Sequence, residues 1–113
     1  MTGMDRAGDI QTALDDLVGR IAEDFAPEKI ILFGSHARGD ARPDSDIDLL
    51  VLFREVEDPN RRAAELYASL LGIARPRDIV VSTMDRFERY KNVVNTVYWP
   101  AAREGRTIYE RAA

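Results

Sequence analysis

The segment SDIDLLVLF, Ser45 to Phe53, constrains this chain more than any other. Successive side chains of a strand point to opposite faces. Ile47, Leu49, Val51 and Phe53 therefore share one face, and Asp46, Asp48, Leu50 and Leu52 the other. Two carboxylates thus point the same way where a buried strand begins. At positions i and i+2 they stand about 6 to 7 Å apart, and at an effective dielectric near 20 such a like-charge pair costs on the order of 2 to 3 kcal/mol. Something positive has to offset that. Mg2+ is a natural candidate, since it takes carboxylate oxygens together with substrate phosphates rather than a closed protein cage. For an isolated Asp-x-Asp, a solvated strand face decorated with acids is the sounder reading.

A second signal lies just upstream. Lys29-Ile-Ile-Leu-Phe33 is apolar, too short for a helix and closed by Gly34, so it reads as a buried strand. Ser35 to Gly39 then reads as one or two helical turns. A glycine and a serine opening a turn after a strand can form an anion site, because free N–H groups face one point and glycine lets a phosphate approach closely. A plain strand-to-helix turn with Ser35 as N-cap fits that stretch as well.

The rest of the chain alternates in the same way. Ile10, Leu14, Leu17, Val18, Ile21 and Phe25 fall at helical spacing, and Pro27 ends that helix. Ala63, Leu66, Tyr67, Leu70 and Leu71 predict another, ended near Gly72. Arg77 to Val81 predicts a third strand, whose Asp78 would stand beside Asp46 and Asp48 if the two strands pair. Ser82 with Asp85 resembles a capping box for a short helix carrying Met84 and Phe87. Asn92 to Glu104 reads as helical, with Pro100 beginning a new segment or bending this one. Gly105 suits a left-handed residue after a helix, and Thr107 to Tyr109 a final edge strand. The order α-β-α-β-α-β-α-α-β predicts one α/β (α+β) domain over 1–113, a small mixed sheet flanked by helices.

Composition removes several classes of function. No apolar stretch approaches the roughly 20 residues a membrane helix needs, and the polar start MTGMDRAGD does not resemble a signal peptide. The chain has no cysteine, which fits a reducing, cytoplasmic setting. A net charge of -4 argues against unaided binding of nucleic acid, which rests on clustered Lys and Arg. There is no G-x-G-x-x-G for a dinucleotide and no Gly-Lys-Ser/Thr for a Walker-type site. Glycosyltransferases with Asp-x-Asp and haloacid dehalogenase-like phosphatases place the acids after an apolar strand, whereas here the aliphatic run follows them.

Together, Gly34-Ser35, ten intervening residues and Asp46-Ile47-Asp48 resemble the nucleotidyltransferase superfamily of DNA polymerase β type. The fuller string Gly34-Ser35-His36-Ala37-Arg38-Gly39, then Ser45-Asp46-Ile47-Asp48-Leu49-Leu50-Val51, is similar to its smallest branch, the MNT (minimal nucleotidyltransferase) domains. The likeness extends to Asp78 within RDIVV and to AAREGRTIYE at 101–110. The resemblance implies that Asp46, Asp48 and Asp78 bind two Mg2+ ions. It also implies that Asp78 helps deprotonate the attacking hydroxyl and that Gly34 and Ser35 hold the triphosphate of ATP; Arg38 reads equally as a further phosphate contact or as a structural salt bridge. It further implies an antitoxin paired with a HEPN-domain RNase toxin, transferring AMP to a toxin tyrosine. The alternatives are occlusion of the partner without catalysis and transfer to a small molecule or an RNA end.

Other residues are read as structural. Asp44, after Pro43, is expected in a turn, and Asp40 beside Arg38 or Arg42. His36, the only histidine, is expected on the surface, because adjacent helical positions point about 100° apart and do not make it a partner for Ser35. Tyr98 and Trp99 are expected to pack against the sheet or a partner rather than stack on a base.

Overall fold

The structure, a computed structural model, describes residues 6–112. Its elements are α1 (Arg6–Phe25), β1 (Lys29–Phe33), α2 (Ser35–Arg38), β2 (Ile47–Phe53), α3 (Pro59–Ser69), β3 (Arg77–Thr83), α4 (Met84–Tyr90), α5 (Tyr98–Glu104) and β4 (Arg106–Glu110). The strands form one sheet in the order β3-β2-β1-β4. β1 runs antiparallel to β2 and β4, and β3 runs parallel to β2, so the sheet is mixed.

The alternation along β2 explains the layers. Ile47, Leu49, Val51 and Phe53 join Leu14, Leu17 and Ile21 of α1 and Leu66 of α3 in one core. Leu50 and Leu52, on the opposite face, join Ile31, Phe87 of α4, and Tyr98 and Ala101 of α5 in another. Leu49 to Leu52 have no exposed surface, which is why the run is aliphatic on both faces. Asp48 shares the parity of Leu50 and so lies on the α4/α5 side, at the end of the sheet where β2 enters.

Several boundaries differ from the sequence reading. β2 begins at Ile47, not Ser45, so Asp46 stands in the lead-in to the strand; the Ile47 N–H donates to Pro76 O at 2.9 Å, which starts the pairing there. α3 ends at Ser69, with Leu70 as its C-cap, so Leu71 leaves the apolar face and is 81% exposed. Two of the carbonyls in the turn that follows, those of Leu70 and Ile73, accept from the Arg77 guanidinium at 2.7 Å each. The cap of α4 is Thr83, whose hydroxyl accepts from Arg86 N. Ser82 is instead a buried strand residue whose hydroxyl meets the Tyr98 hydroxyl at 2.7 Å.

The stretch 92–97 is irregular, with Asn95 at φ 75, and helix resumes only at Tyr98. Pro100 sits in the first turn of α5, where no amide is required of it. Gly105 is extended, not left-handed, at φ -76. Glycine is needed there for space: a Cβ would meet the Ala101 carbonyl and stand 2.6 Å from Ile31 Cγ2. The N-terminal stretch MTGMD lies outside the described residues. No helix among them is long and apolar enough to cross a membrane.

Candidate active site

Strand register assembles the site. Phe33, the last residue of β1, lies opposite Asp48 in the antiparallel pair, and Asp48 lies opposite Asp78 in the parallel pair. Gly34 follows Phe33 directly, and Asp46 precedes Asp48 by two residues. The residues predicted from the Gly-Ser and Asp-x-Asp motifs and from RDIVV are therefore brought to one end of the sheet.

Gly34 turns the chain from β1 into α2. It is the N-cap, at φ 76 and ψ -157, a conformation accessible essentially to glycine alone. Space demands glycine too: a Cβ at this position would run into the Asp48 carboxylate. Ser35 is thus the first helical residue and not the cap, and no side-chain hydrogen bond caps α2. The Ala37 and Arg38 amides turn back to the Gly34 carbonyl at 3.0 Å each.

Asp48 feels both burial and its neighbours. Asp48 is half-buried, and loss of hydration raises its pKa above the ordinary aspartate value. The charges of Asp78 and then Asp46 raise it further, while His36 and Arg38 pull it back. Asp46 and Asp78 are exposed. Carboxylate oxygens are hard donors of the kind a hard divalent cation takes, and such a cation would offset the charge crowded around Asp48. Among the described residues no group of three or more histidine, aspartate or glutamate side chains is drawn together closely enough to hold a metal ion by itself. Mg2+ does not require one, since it usually keeps waters and substrate phosphates among its ligands. Asp46, Asp48 and Asp78 are the residues that would hold such an ion, together with the oxygens of a bound phosphate.

The remaining sequence candidates are distributed as follows. Arg38 is exposed and held by two carboxylates, Asp40 at 3.2 Å and Glu104 at 2.9 Å, the second tying α2 to α5. A phosphate would have to compete with both. Asp40 is the local partner of Arg38 that the sequence suggests, and Asp44 is an exposed turn residue. Tyr98 packs in the α4/α5 core against Phe87 and Tyr90, and Trp99 carries the Arg103 guanidinium 4.9 Å above its ring.

Two neighbours of the site were not legible in the motifs. His36 is half-buried rather than a surface residue, and its Nε2 lies 3.1 Å from the Ser45 carbonyl, one residue before Asp46. Tyr67 of α3 accepts from the Ile79 amide at 2.7 Å and places its hydroxyl 3.5 Å from Asp78 Oδ1. Nothing local announces Tyr67, since it reaches Asp78 from the helix on the other side of the sheet. A broad cleft of about 700 Å³ lies at the opposite end of the sheet, among Phe25, Phe53, Arg62 and Arg111. It touches none of the three carboxylates, and Arg62 and Arg111 are paired there with Glu65 and Glu28.

Comparison with known proteins bears on the family and the fold. Residues 14–101 match the family model described as "Nucleotidyltransferase domain". A 48-residue stretch is 40% identical to the protein adenylyltransferase MntA of Thermococcus cleftensis, covering 42% of this chain and 48% of that protein. The chain thus aligns with about half the length of that curated relative. Among solved structures, a candidate nucleotidyltransferase from Sulfolobus solfataricus superposes with a TM-score of 0.66 at 22% identity, over 98% of this chain and 93% of the other. That likeness is one of fold. A toxin-antitoxin structure with AMP-PNP overlaps at a TM-score of only 0.49 and 20% identity, over 96% of this chain and 75% of that one.

Proposed function

Because the chain belongs to the nucleotidyltransferase domain family, we propose that it transfers AMP from ATP to a tyrosine hydroxyl of a HEPN-type RNase toxin and so acts as its antitoxin. The observation that carries the reading is the packing of Gly34 against the Asp48 carboxylate with Asp78 in register beside it. An anion cradle and a carboxylate platform then face the same phosphate chain. The protein acceptor is supported by the activity in the name of the Thermococcus relative and by the MNT-like motif string. The chain aligns with only part of that relative, so the acceptor is the finer half of the proposal.

In this reading Asp46 and Asp48 would hold Mg2+, and Asp78 would contribute to a second metal site. Bound Mg2+ would neutralise phosphate charge and stabilise the attacking and leaving oxygens of an in-line displacement. Gly34 admits the triphosphate close to the backbone, and Ser35 offers its hydroxyl to a phosphate oxygen. The tyrosine oxygen attacks the α-phosphorus, its proton passes to the Asp78 carboxylate, and the bond to the pyrophosphate oxygen breaks. A new phosphodiester on the tyrosine and free pyrophosphate result.

The test is to incubate the protein with Mg2+, ATP and the protein encoded beside it. The partner's intact mass and its RNase activity are then read after the two are separated. One added AMP and lasting loss of RNase activity are expected with wild type and not with Asp48→Asn. An unmodified partner that regains activity on separation, with both forms protecting equally while bound, would leave occlusion as the function.

A further inference from the structure

The lead-in to β2 carries Asp46 on a segment without regular structure, yet Asp46 has to keep a fixed relation to Asp48 and Asp78 if the three act together. On one side it is anchored at Ile47, whose N–H donates to Pro76 O at 2.9 Å, and on the other its position depends on what holds residue 45. The Ser45 amide donates to Arg42 O at 3.0 Å, and its hydroxyl accepts from Arg42 N at 2.8 Å, so the turn 42–45 is closed on itself. Neither bond fixes that turn to the sheet. The contact that ties it to α2 is made by His36, whose Nε2 lies 3.1 Å from the Ser45 carbonyl.

A carbonyl can only accept, so the ring must present N–H at Nε2. His36 also stands two residues after Gly34, at the start of α2, whose orientation the left-handed Gly34 fixes. One rigid corner therefore holds both halves of the site: the backbone of Gly34 packs on Asp48, and the imidazole of His36 anchors the peptide leading into Asp46.

We propose that His36 is a positioning residue for Asp46, holding the Ser45 carbonyl through Nε2–H so that the Asp46 carboxylate stays on the same platform as Asp48 and Asp78. The inference rests on the metal-binding role proposed above for Asp46. It assigns to the sole histidine neither a proton transfer nor a contact with substrate. Groups one step behind a metal ligand typically affect metal affinity by 10–100-fold. His36 acts through a backbone peptide, so about tenfold is expected.

Side-chain geometry offers a discriminating set of variants. The amide nitrogen of glutamine reaches about as far as Nε2, whereas that of asparagine reaches only as far as Nδ1. His36→Gln can therefore restore the bond, and His36→Asn and His36→Ala cannot. Two measurements on the whole chain decide the matter. The first is amide hydrogen exchange over residues 40–47 in metal-free protein. The second is the Mg2+ concentration that half-saturates the thermal shift produced by ATP.

Faster exchange over 40–47 and a half-saturating Mg2+ concentration raised about tenfold are expected for His36→Ala and His36→Asn. His36→Gln should stay within about threefold of wild type. Equal half-saturation in wild type and His36→Ala would overturn the inference while leaving the metal site standing. A uniform drop in melting temperature across all three variants, with Mg2+ dependence unmoved, would overturn it too by showing a structural role alone. A wild type with no Mg2+-dependent response to ATP would remove the metal-binding reading itself, and the inference with it.

Discussion

Replacing Gly34 by alanine separates two demands that the structure places on one residue. The backbone at φ 76 and ψ -157 lies in a region that costs a residue with a Cβ about 1 to 3 kcal/mol. The added methyl also meets the Asp48 carboxylate, whose Cγ would stand 3.1 Å away, so Asp48 must leave its rotamer for roughly 1 kcal/mol more. A loss of about 2 to 4 kcal/mol in a chain of this length lowers the melting temperature by roughly 8 to 15 °C. Thermal melts followed by circular dichroism measure it, and the same melts with Mg2+ and ATP should show no nucleotide response. The Asp48→Ala background divides the two terms. There the clash is gone and only backbone strain remains, so the effect of Gly34→Ala should shrink by about 1 kcal/mol, a coupling within the range of contacting residues. A Gly34→Ala protein melting within about 2 °C of wild type would refute the argument about strain. An identical drop in both backgrounds would refute the contact with Asp48.

Other expectations concern charge and packing. Asp48→Asn should stabilise the protein in chelator by about 1 kcal/mol at neutral pH, because it removes a partly desolvated charge that Asp78 and Asp46 also repel. The folded pKa of Asp48 lies above the unfolded one, so the destabilisation it brings is absent below the unfolded value and grows as pH rises through the folded one. The gap between wild type and Asp48→Asn should therefore open from about pH 4 upward, and a gap independent of pH would contradict it. Ala26 follows α1 at φ 48, where a Cβ costs about 1 to 2 kcal/mol, so Ala26→Gly should raise the melting temperature by a few degrees after the entropy of glycine is counted. Ser82→Ala removes the buried partner of the Tyr98 hydroxyl and should cost about 1 to 2 kcal/mol in denaturant melts.

Much of this could be read from residue order, and what could not has a common cause. The run at 29–33 and the alternation through Ile47, Leu49, Val51 and Phe53 depend on local pattern, and β1 and the faces of β2 appear as read. The place of Asp78 beside Asp48 followed from one assumption, that the second and third strands pair, which their parallel register meets. The errors are non-local. Ser82 and Thr83 both offer a cap hydroxyl, and the choice is made by Tyr98, sixteen residues later, which takes Ser82 into the core. Gly105 looked like a left-handed stop and is required by the proximity of Ile31 on β1. His36 looked like a surface residue because its partner, the Ser45 carbonyl, belongs to a loop whose path no periodicity encodes.

The central claim is nucleotidyl transfer, and the path of the label in ATP tests it most directly. The protein is incubated with Mg2+ and its genomic neighbour in two parallel reactions, one with ATP labelled at the α-phosphate and one with ATP labelled at the γ-phosphate. Label on the partner from the α-phosphate only, with γ-label released as pyrophosphate and both outcomes lost in Asp48→Asn, is the predicted result. Label on the partner from the γ-phosphate, or none from either while the partner is still neutralised, would contradict it.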